Sequence, residues 1–146
     1  MESSRDIYAR AFADIQYCKP ALELRYEYAV NEIHSNNCLD VIDIGCGRGA
    51  FANYLKKSLF VFIDGFDLDK FYDSDAIDDV FEFFAKISNN QVFTIANHSD
   101  IHEGTELHVI QENIDWWLPK LQKYFIINNV ETHYDGRLYL LSLTTK

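Results

Sequence analysis

A carboxylate stands two residues before a run of alternating glycines in VIDIGCGRGAFANYL, which runs from Val41 to Leu55. Asp43 lies among aliphatic residues, and glycines follow at alternate positions, Gly45, Gly47 and Gly49. Glycine permits backbone angles that a Cβ forbids, and it lets a ligand approach the main chain closely. The segment follows a predicted strand and opens a predicted helix, which makes it informative. The pattern therefore indicates a cofactor site at this turn.

Two cofactor classes fit the glycine segment. GCGRGA satisfies the dinucleotide-binding pattern, with Ala50 as the third small residue, and an acid follows about 20 residues on. Either Asp64 or Asp67 can supply that acid. The glycines alone therefore do not distinguish a nicotinamide dinucleotide from another nucleoside-containing cofactor.

The position of Asp43 favours the second class. The stretch resembles motif I of class I S-adenosylmethionine-dependent methyltransferases, in which apolar residues, an acid and one more apolar residue precede G-x-G-x-G. The resemblance implies that Asp43 orients the segment near the methionine part of the cofactor. It also implies that Gly45, Cys46, Gly47 and Gly49 surround the cofactor. The resemblance is specific from Val41 to about Asp69.

A second acid matches the same family. FIDGFDLD places Asp67 where the predicted second strand ends, with Leu68 beside it. The resemblance implies that Asp67 binds the two ribose hydroxyls and that Leu68 lines the cofactor site. Two carboxylate oxygens can accept from two vicinal hydroxyls, which makes this role chemically sound.

The catalytic candidates follow the third predicted strand, QVFTIA, in the stretch ANHSD. Asn97 can orient a nucleophile, and His98 can remove a proton near neutral pH. By resemblance, the donor methyl group meets the acceptor here if QVFTIA is the family's fourth strand. If it is the third strand, the same residues lie beside the adenine. No metal site is predicted, because HSDIHE lacks an identifiable third ligand.

The elements that must position these residues follow from apolar spacing and turn signals. Helices are predicted before residue 36, after about Arg48, and over SDAIDDVFEFFAKISNN. A further helix is expected from an N-cap at Thr105, and Pro119 should kink or restart it. CLDVIDI, LFVFIDGF, QVFTIA, YFIINNVE and RLYLLSLT are predicted strands, the last two joined by a turn at Asp135-Gly136.

This order predicts an α/β layered fold, and the resemblance implies that it is a Rossmann-like three-layer fold. The sheet is expected to be mostly parallel, with an antiparallel C-terminal edge strand. Five strands are counted where the family usually has seven, so the strand count is reduced. One domain is predicted over residues 1–146, with N-terminal helices in 1–36 and the core in 37–146.

Composition restricts the partners. The 146 residues include 13 basic and 23 acidic side chains, a formal charge of −10, which disfavours nucleic acid. No apolar run is long enough to span a bilayer, and the N-terminus does not resemble a secretory signal. Three cysteines without CxxC spacing indicate reduced thiols in the cytoplasm.

The predicted function is methyl transfer from S-adenosylmethionine to a small molecule or a protein. Motifs of amino-methylating and cytosine-C5 DNA enzymes are missing from the expected places. One alternative is a non-catalytic S-adenosylmethionine-binding regulatory subunit with a partner protein, and a homodimer also stays open. A nicotinamide-dependent oxidoreductase is a third reading, which Asp43 disfavours.

Overall fold

A computed structural model describes residues 19–44, 50–55, 62–66, 77–106 and 110–146. These residues fall into two compact units, one within positions 1–69 and one within positions 70–146. The single domain expected over 1–146 stays a prediction. Within the described ranges, no helix has both the length and the apolar character needed to cross a bilayer.

The first unit contains two helices and two strands: α1 (Lys19–Ser35), β1 (Asp40–Ile44), α2 (Ala50–Leu55) and β2 (Phe62–Phe66). Helix α1 ends at the polar stretch HSNN, as expected. Asn37 adopts a left-handed conformation with φ 51°, and the Cys38 N–H donates to the Ile33 carbonyl at 3.0 Å. This closure satisfies an end carbonyl of the helix and turns the chain towards β1.

Strands β1 and β2 pair in parallel, from Asp40 opposite Phe62 to Ile44 opposite Phe66. Helix α2 lies between them in the sequence, so the strand–helix–strand order expected around the glycine segment is confirmed. Because the strands are parallel and in register, their C-terminal ends lie at the same edge. Ligands of α/β proteins bind at such edges.

The second unit is built on an antiparallel sheet. Its elements are α3 (Ile77–Ile87), β3 (Asn90–Ala96), β4 (Ile101–His102), β5 (Thr105–Glu106), α4 (Ile114–Leu121), β6 (Phe125–His133) and β7 (Leu138–Thr145). Strand β7 lies between β3 and β6 and is antiparallel to both. Strands β4 and β5 form a separate small hairpin.

Aromatic side chains dominate the core of the second unit. The Phe81 ring lies 5.7 Å from the Phe93 ring and 6.3 Å from the Phe125 ring, measured between centroids. Phe125 and Leu121 are fully buried. The apolar face predicted for α3 is confirmed, because Val80 and Phe81 are buried in this cluster. The cluster holds α3 and α4 against one face of the sheet.

The predicted Rossmann-like, mostly parallel sheet is wrong. Among the described strands only β1 and β2 pair in parallel, while β3, β6 and β7 form an antiparallel sheet. The predicted antiparallel edge strand is also misplaced, because β7 is central. Leu138 to Leu143 are all buried, as expected of a strand with neighbours on both sides and both faces covered. The apolar run in the sequence of β7 is typical of such a strand, and it could have indicated that β7 lies in the middle of the sheet.

The hairpin predicted at Asp135-Gly136 is confirmed. Strand β6 ends at His133 and β7 begins at Leu138. Tyr134, Asp135 and Gly136 have φ values of 53°, 56° and 84°. Glycine adopts this conformation without the Cβ penalty, and aspartate tolerates it better than most residues. The local turn signal was therefore sufficient to locate the hairpin.

The N-cap predicted at Thr105 is wrong. Thr105 belongs to the β4–β5 hairpin, whose turn has Glu103 and Gly104 at φ 50° and 79°. Helix α4 begins at Ile114, and the Asn113 side chain caps it by accepting from the Trp116 N–H at 3.1 Å. Pro119 lies inside α4, which ends two residues later. The hairpin turn outweighs the capping preference of the threonine.

Candidate functional site

Asp43 is the penultimate residue of β1 and lies opposite Gly65 of β2. Its side chain is half-buried, and its Oδ2 atom is shielded from solvent. Ile42, on the opposite face of the strand, is 47% exposed. Because successive side chains of a strand point to opposite faces, the Asp43 carboxylate lies on the face opposite the exposed Ile42. Asp43 lies at the edge where α/β proteins bind ligands.

Helix α1 brings a tyrosine and an arginine into the neighbourhood of Asp43. Burial raises the pKa of the Tyr26 hydroxyl above its usual 10.0, and the Asp43 carboxylate raises it further. The Arg25 guanidinium opposes the rise. Both charged groups therefore act on the same hydroxyl, and the Nε atom of Arg25 is shielded from solvent like the Oδ2 atom of Asp43. The Tyr26 hydroxyl therefore lies within electrostatic reach of both charged groups.

Tyr26 also joins α1 to α2. Its ring centroid lies 5.3 Å from those of both Phe51 and Tyr54, with interplanar angles of 39° and 47°. All three rings are half-buried, whereas Leu55 at the end of α2 is fully buried. Tilted aromatic pairs at this separation are favourable beyond the area that they bury. The packing fixes the start of the helix that follows the glycine segment.

Most of the cofactor residues expected from the sequence lie outside the described residues. These are Gly45, Cys46, Gly47, Gly49, Asp67 and Leu68. Their roles stay predictions. Asp43 is the member of the expected cofactor set whose surroundings the structure describes, and Asp64 takes part in the ladder of β2 opposite Ile42.

Asn97 directly follows β3 and ties that strand to the β6–β7 turn. Its amide Nδ2 donates to the Gly136 carbonyl at 3.1 Å and to the Tyr139 hydroxyl at 3.2 Å. Its backbone N–H donates to the Arg137 carbonyl at 2.8 Å. The side-chain amide thus has a structural task in holding the turn, whatever else it does.

His98 begins the segment that leads from β3 into the β4–β5 hairpin. Its Nδ1 lies 3.1 Å from the Ser99 carbonyl, which favours the tautomer with a proton on Nδ1. The Glu106 carboxylate accepts from the Ser99 hydroxyl at 2.5 Å and from the Asp100 N–H at 2.8 Å. These bonds order the segment after His98. Within the described part of the chain, no group of three potential metal ligands occurs.

The expected site residues are distributed over both units. Asp43 belongs to the first unit, and Asn97 and His98 belong to the second. The sequence patterns did not single out Tyr26, because it lies on a helix that precedes the glycine segment and belongs to no motif. An arginine next to a tyrosine on the helix that precedes the glycine segment was the available signal.

Comparison with known proteins adds no assignment. No protein family matches the chain, and neither the curated proteins nor the solved structures include a significant match.

Proposed function

We propose that this protein binds S-adenosylmethionine at the C-terminal edge of β1 and β2 and transfers its methyl group to a small molecule or a protein. The observation that carries the proposal is the placement of Asp43. The acid lies at the end of a strand that pairs in parallel with the next one, and a glycine segment and a helix connect the two strands. A cofactor with hydroxyl and ammonium groups suits a carboxylate at such an edge.

Methyl transfer makes modest demands on the protein. The methyl group moves in line from the sulfonium to a nucleophile, and the leaving thioether is neutral. The protein therefore contributes mainly by aligning donor and acceptor and by excluding water. His98 is proposed to accept the acceptor's proton where the acceptor needs a base, and Asn97 is proposed to orient the acceptor.

The acceptor class follows from charge. With 23 acidic and 13 basic residues, the chain disfavours a polyanionic acceptor, which leaves small molecules and proteins. The cysteine spacing supports work in the cytoplasm, and the thiol of Cys38 is free in the described part of the chain.

A second candidate function is S-adenosylmethionine binding without catalysis, in a subunit that acts through a partner protein. The geometry of Asn97 favours this candidate. Both hydrogen bonds of its amide nitrogen go to the β6–β7 hairpin, so its presence has an explanation that needs no acceptor.

Calorimetric titration tests the binding step that both candidates share. S-adenosylmethionine and its demethylated product should bind the wild-type protein and raise its melting temperature, and NAD should not. Asp43→Asn should weaken that binding. Asp40→Asn is the matched control, because Asp40 is exposed at the start of the same strand. Binding of NAD without binding of S-adenosylmethionine would overturn the proposal.

A further inference from the structure

Strand β3 lies at an edge of its sheet. Among the strands that the structure describes, the order is β3–β7–β6, so β7 is the neighbour of β3 on one side only. Immediately before β3, the Asn89 carbonyl accepts from the Thr145 N–H at 2.8 Å. Immediately after β3, the Asn97 N–H donates to the Arg137 carbonyl at 2.8 Å. These two bonds determine which residues of β3 are hydrogen-bonded to β7.

Every second residue of β3 directs its backbone groups away from β7. In an antiparallel ladder, the N–H and C=O of one residue point to one side, and those of the next residue point to the other. Positions 89 and 97 face β7, and the register between them is regular. The backbone groups of Val92, Thr94 and Ala96 therefore point outwards from the sheet. A row of such groups is a template for another strand.

The opposite edge of the sheet carries features that discourage pairing. Strand β6 contains a register shift between Ile127 and Asn129, and the Glu131 carboxylate lies 2.9 Å from the His133 ring. Irregular register and charged side chains protect an edge from another strand. Strand β3, NQVFTIA, pairs with β7 without a register shift and contains no charged residue or proline. The β3 edge is therefore the one that suits pairing.

The charge distribution indicates the kind of strand that fits this edge. From Ile87 to Ser99 the sequence contains no Asp, Glu, Lys or Arg, and this is the longest such stretch of a chain with a formal charge of −10. Two copies of an acidic protein repel each other, and like charges placed opposite one another at an interface are costly. A second copy is therefore tolerated best where both surfaces are uncharged, and β3 is such a surface.

We propose that β3 pairs with β3 of a second copy, antiparallel about a two-fold axis, to form a homodimer. Identical strands suit this symmetry, because each copy offers the same outward groups to the other. With Phe93 on the axis, Val92 lies opposite Thr94 of the partner subunit, so outward-facing residues meet. Opposed β-branched side chains favour such pairing. The interface lies within the second unit and is independent of the proposed function.

Sedimentation equilibrium over a range of concentrations tests the assembly. The wild-type protein should approach twice the monomer mass of 17.0 kDa. Thr94→Pro removes an N–H that points away from β7, so it should spare the β3–β7 ladder. Because a dimer loses two hydrogen bonds, its dissociation constant should rise by about ten- to hundred-fold.

Thr132→Pro is the matched control on the other edge. Thr94 and Thr132 are both exposed. Thr132 lies opposite Tyr139, whose backbone groups point towards β3, so the Thr132 N–H also points away from β7. The same substitution at β6 should therefore leave the dissociation constant within about two-fold of wild type. Circular dichroism melting checks that both variants are folded.

Amide hydrogen exchange measured by NMR locates the interface in the wild-type protein, without any substitution. The amides of Val92, Thr94 and Ala96 should exchange more slowly as the protein concentration rises, because the dimer protects them. The amide of Thr132 should exchange at a rate that does not depend on concentration.

Four results would overturn the proposal. The first is a wild-type protein that stays monomeric up to about 1 mM. The second is a folded Thr94→Pro variant with an unchanged dissociation constant, and the third is an equal loss of the dimer in Thr132→Pro. The fourth is protection of the β3 amides that does not change with concentration, which would mean that the chain itself covers this edge.

Discussion

Replacement of Asn97 by alanine should destabilise the second unit by a predictable amount. The substitution removes the amide bonds to the Gly136 carbonyl at 3.1 Å and to the Tyr139 hydroxyl at 3.2 Å. A hydrogen bond contributes about 0.5–1.5 kcal/mol net, so the free energy of unfolding should fall by about 1–3 kcal/mol. The backbone bond to Arg137 should survive, because alanine keeps the N–H.

Urea unfolding of a double-mutant cycle with Tyr139→Phe measures the coupling. Tyr139 is 3% exposed, and the variant keeps its ring in the core while it removes the acceptor. The coupling energy between the two substitutions should be about 0.5–1.5 kcal/mol. Asn128→Ala is the matched control. Asn128 is exposed and donates one bond to the Thr144 hydroxyl, so its loss should cost no more than about 0.5 kcal/mol.

An unfolding free energy of Asn97→Ala within about 0.5 kcal/mol of wild type, with no coupling to Tyr139→Phe, would refute this reasoning. The cycle also bears on catalysis. If Asn97 only holds the turn, folded Asn97→Ala should keep both its cofactor affinity and its saturating rate. A fall in rate at saturating cofactor, with affinity within a few-fold, would support an additional role with the acceptor.

Three further predictions concern the core, the titration of Tyr26 and the expected cofactor residues. Leu121→Ala should cost about 2–5 kcal/mol in thermal unfolding because Leu121 is fully buried, whereas alanine at Ile126, which is 54% exposed, should cost much less. The pKa of Tyr26 is raised in the folded protein. The stability that this shift contributes is therefore present below the unfolded pKa of about 10 and is lost as the pH rises through the folded pKa. Tyr26→Phe should remove this pH dependence from stability curves at alkaline pH. Asp67→Ala should weaken cofactor binding by about 1.5–3 kcal/mol, and Gly47→Val should abolish it in a folded protein; calorimetry that finds either affinity unchanged would contradict the assigned role.

Local patterns were sufficient for several of the described elements, although not for the β4–β5 hairpin. The apolar spacing of α3 predicts its buried face, because side chains three and four residues apart share one side of a helix. The β6–β7 hairpin follows from Asp135 and Gly136, because the turn needs residues that tolerate positive φ. The acid before the glycines identified Asp43 as a candidate before its surroundings were known.

Pairing direction depended on the tertiary structure. Alternating helices and strands favour parallel crossovers, and that rule holds for β1 and β2. It does not extend to the second unit, because β7, which the tight turn makes antiparallel to β6, lies between β6 and β3 and not at an edge. A strand can form backbone hydrogen bonds along either of its edges, so its sequence alone does not specify which strands lie beside it.

The composition of the candidate site shows the same division. Asp43 could be found from spacing, since its neighbours in the sequence define the turn. Tyr26 lies 17 residues before it, and only the packing of α1 brings the Tyr26 hydroxyl within electrostatic reach of the Asp43 carboxylate. Periodicity determines which residues share one face of a helix. It does not determine which strand end that face meets, because contacts between elements depend on the fold of the chain as a whole.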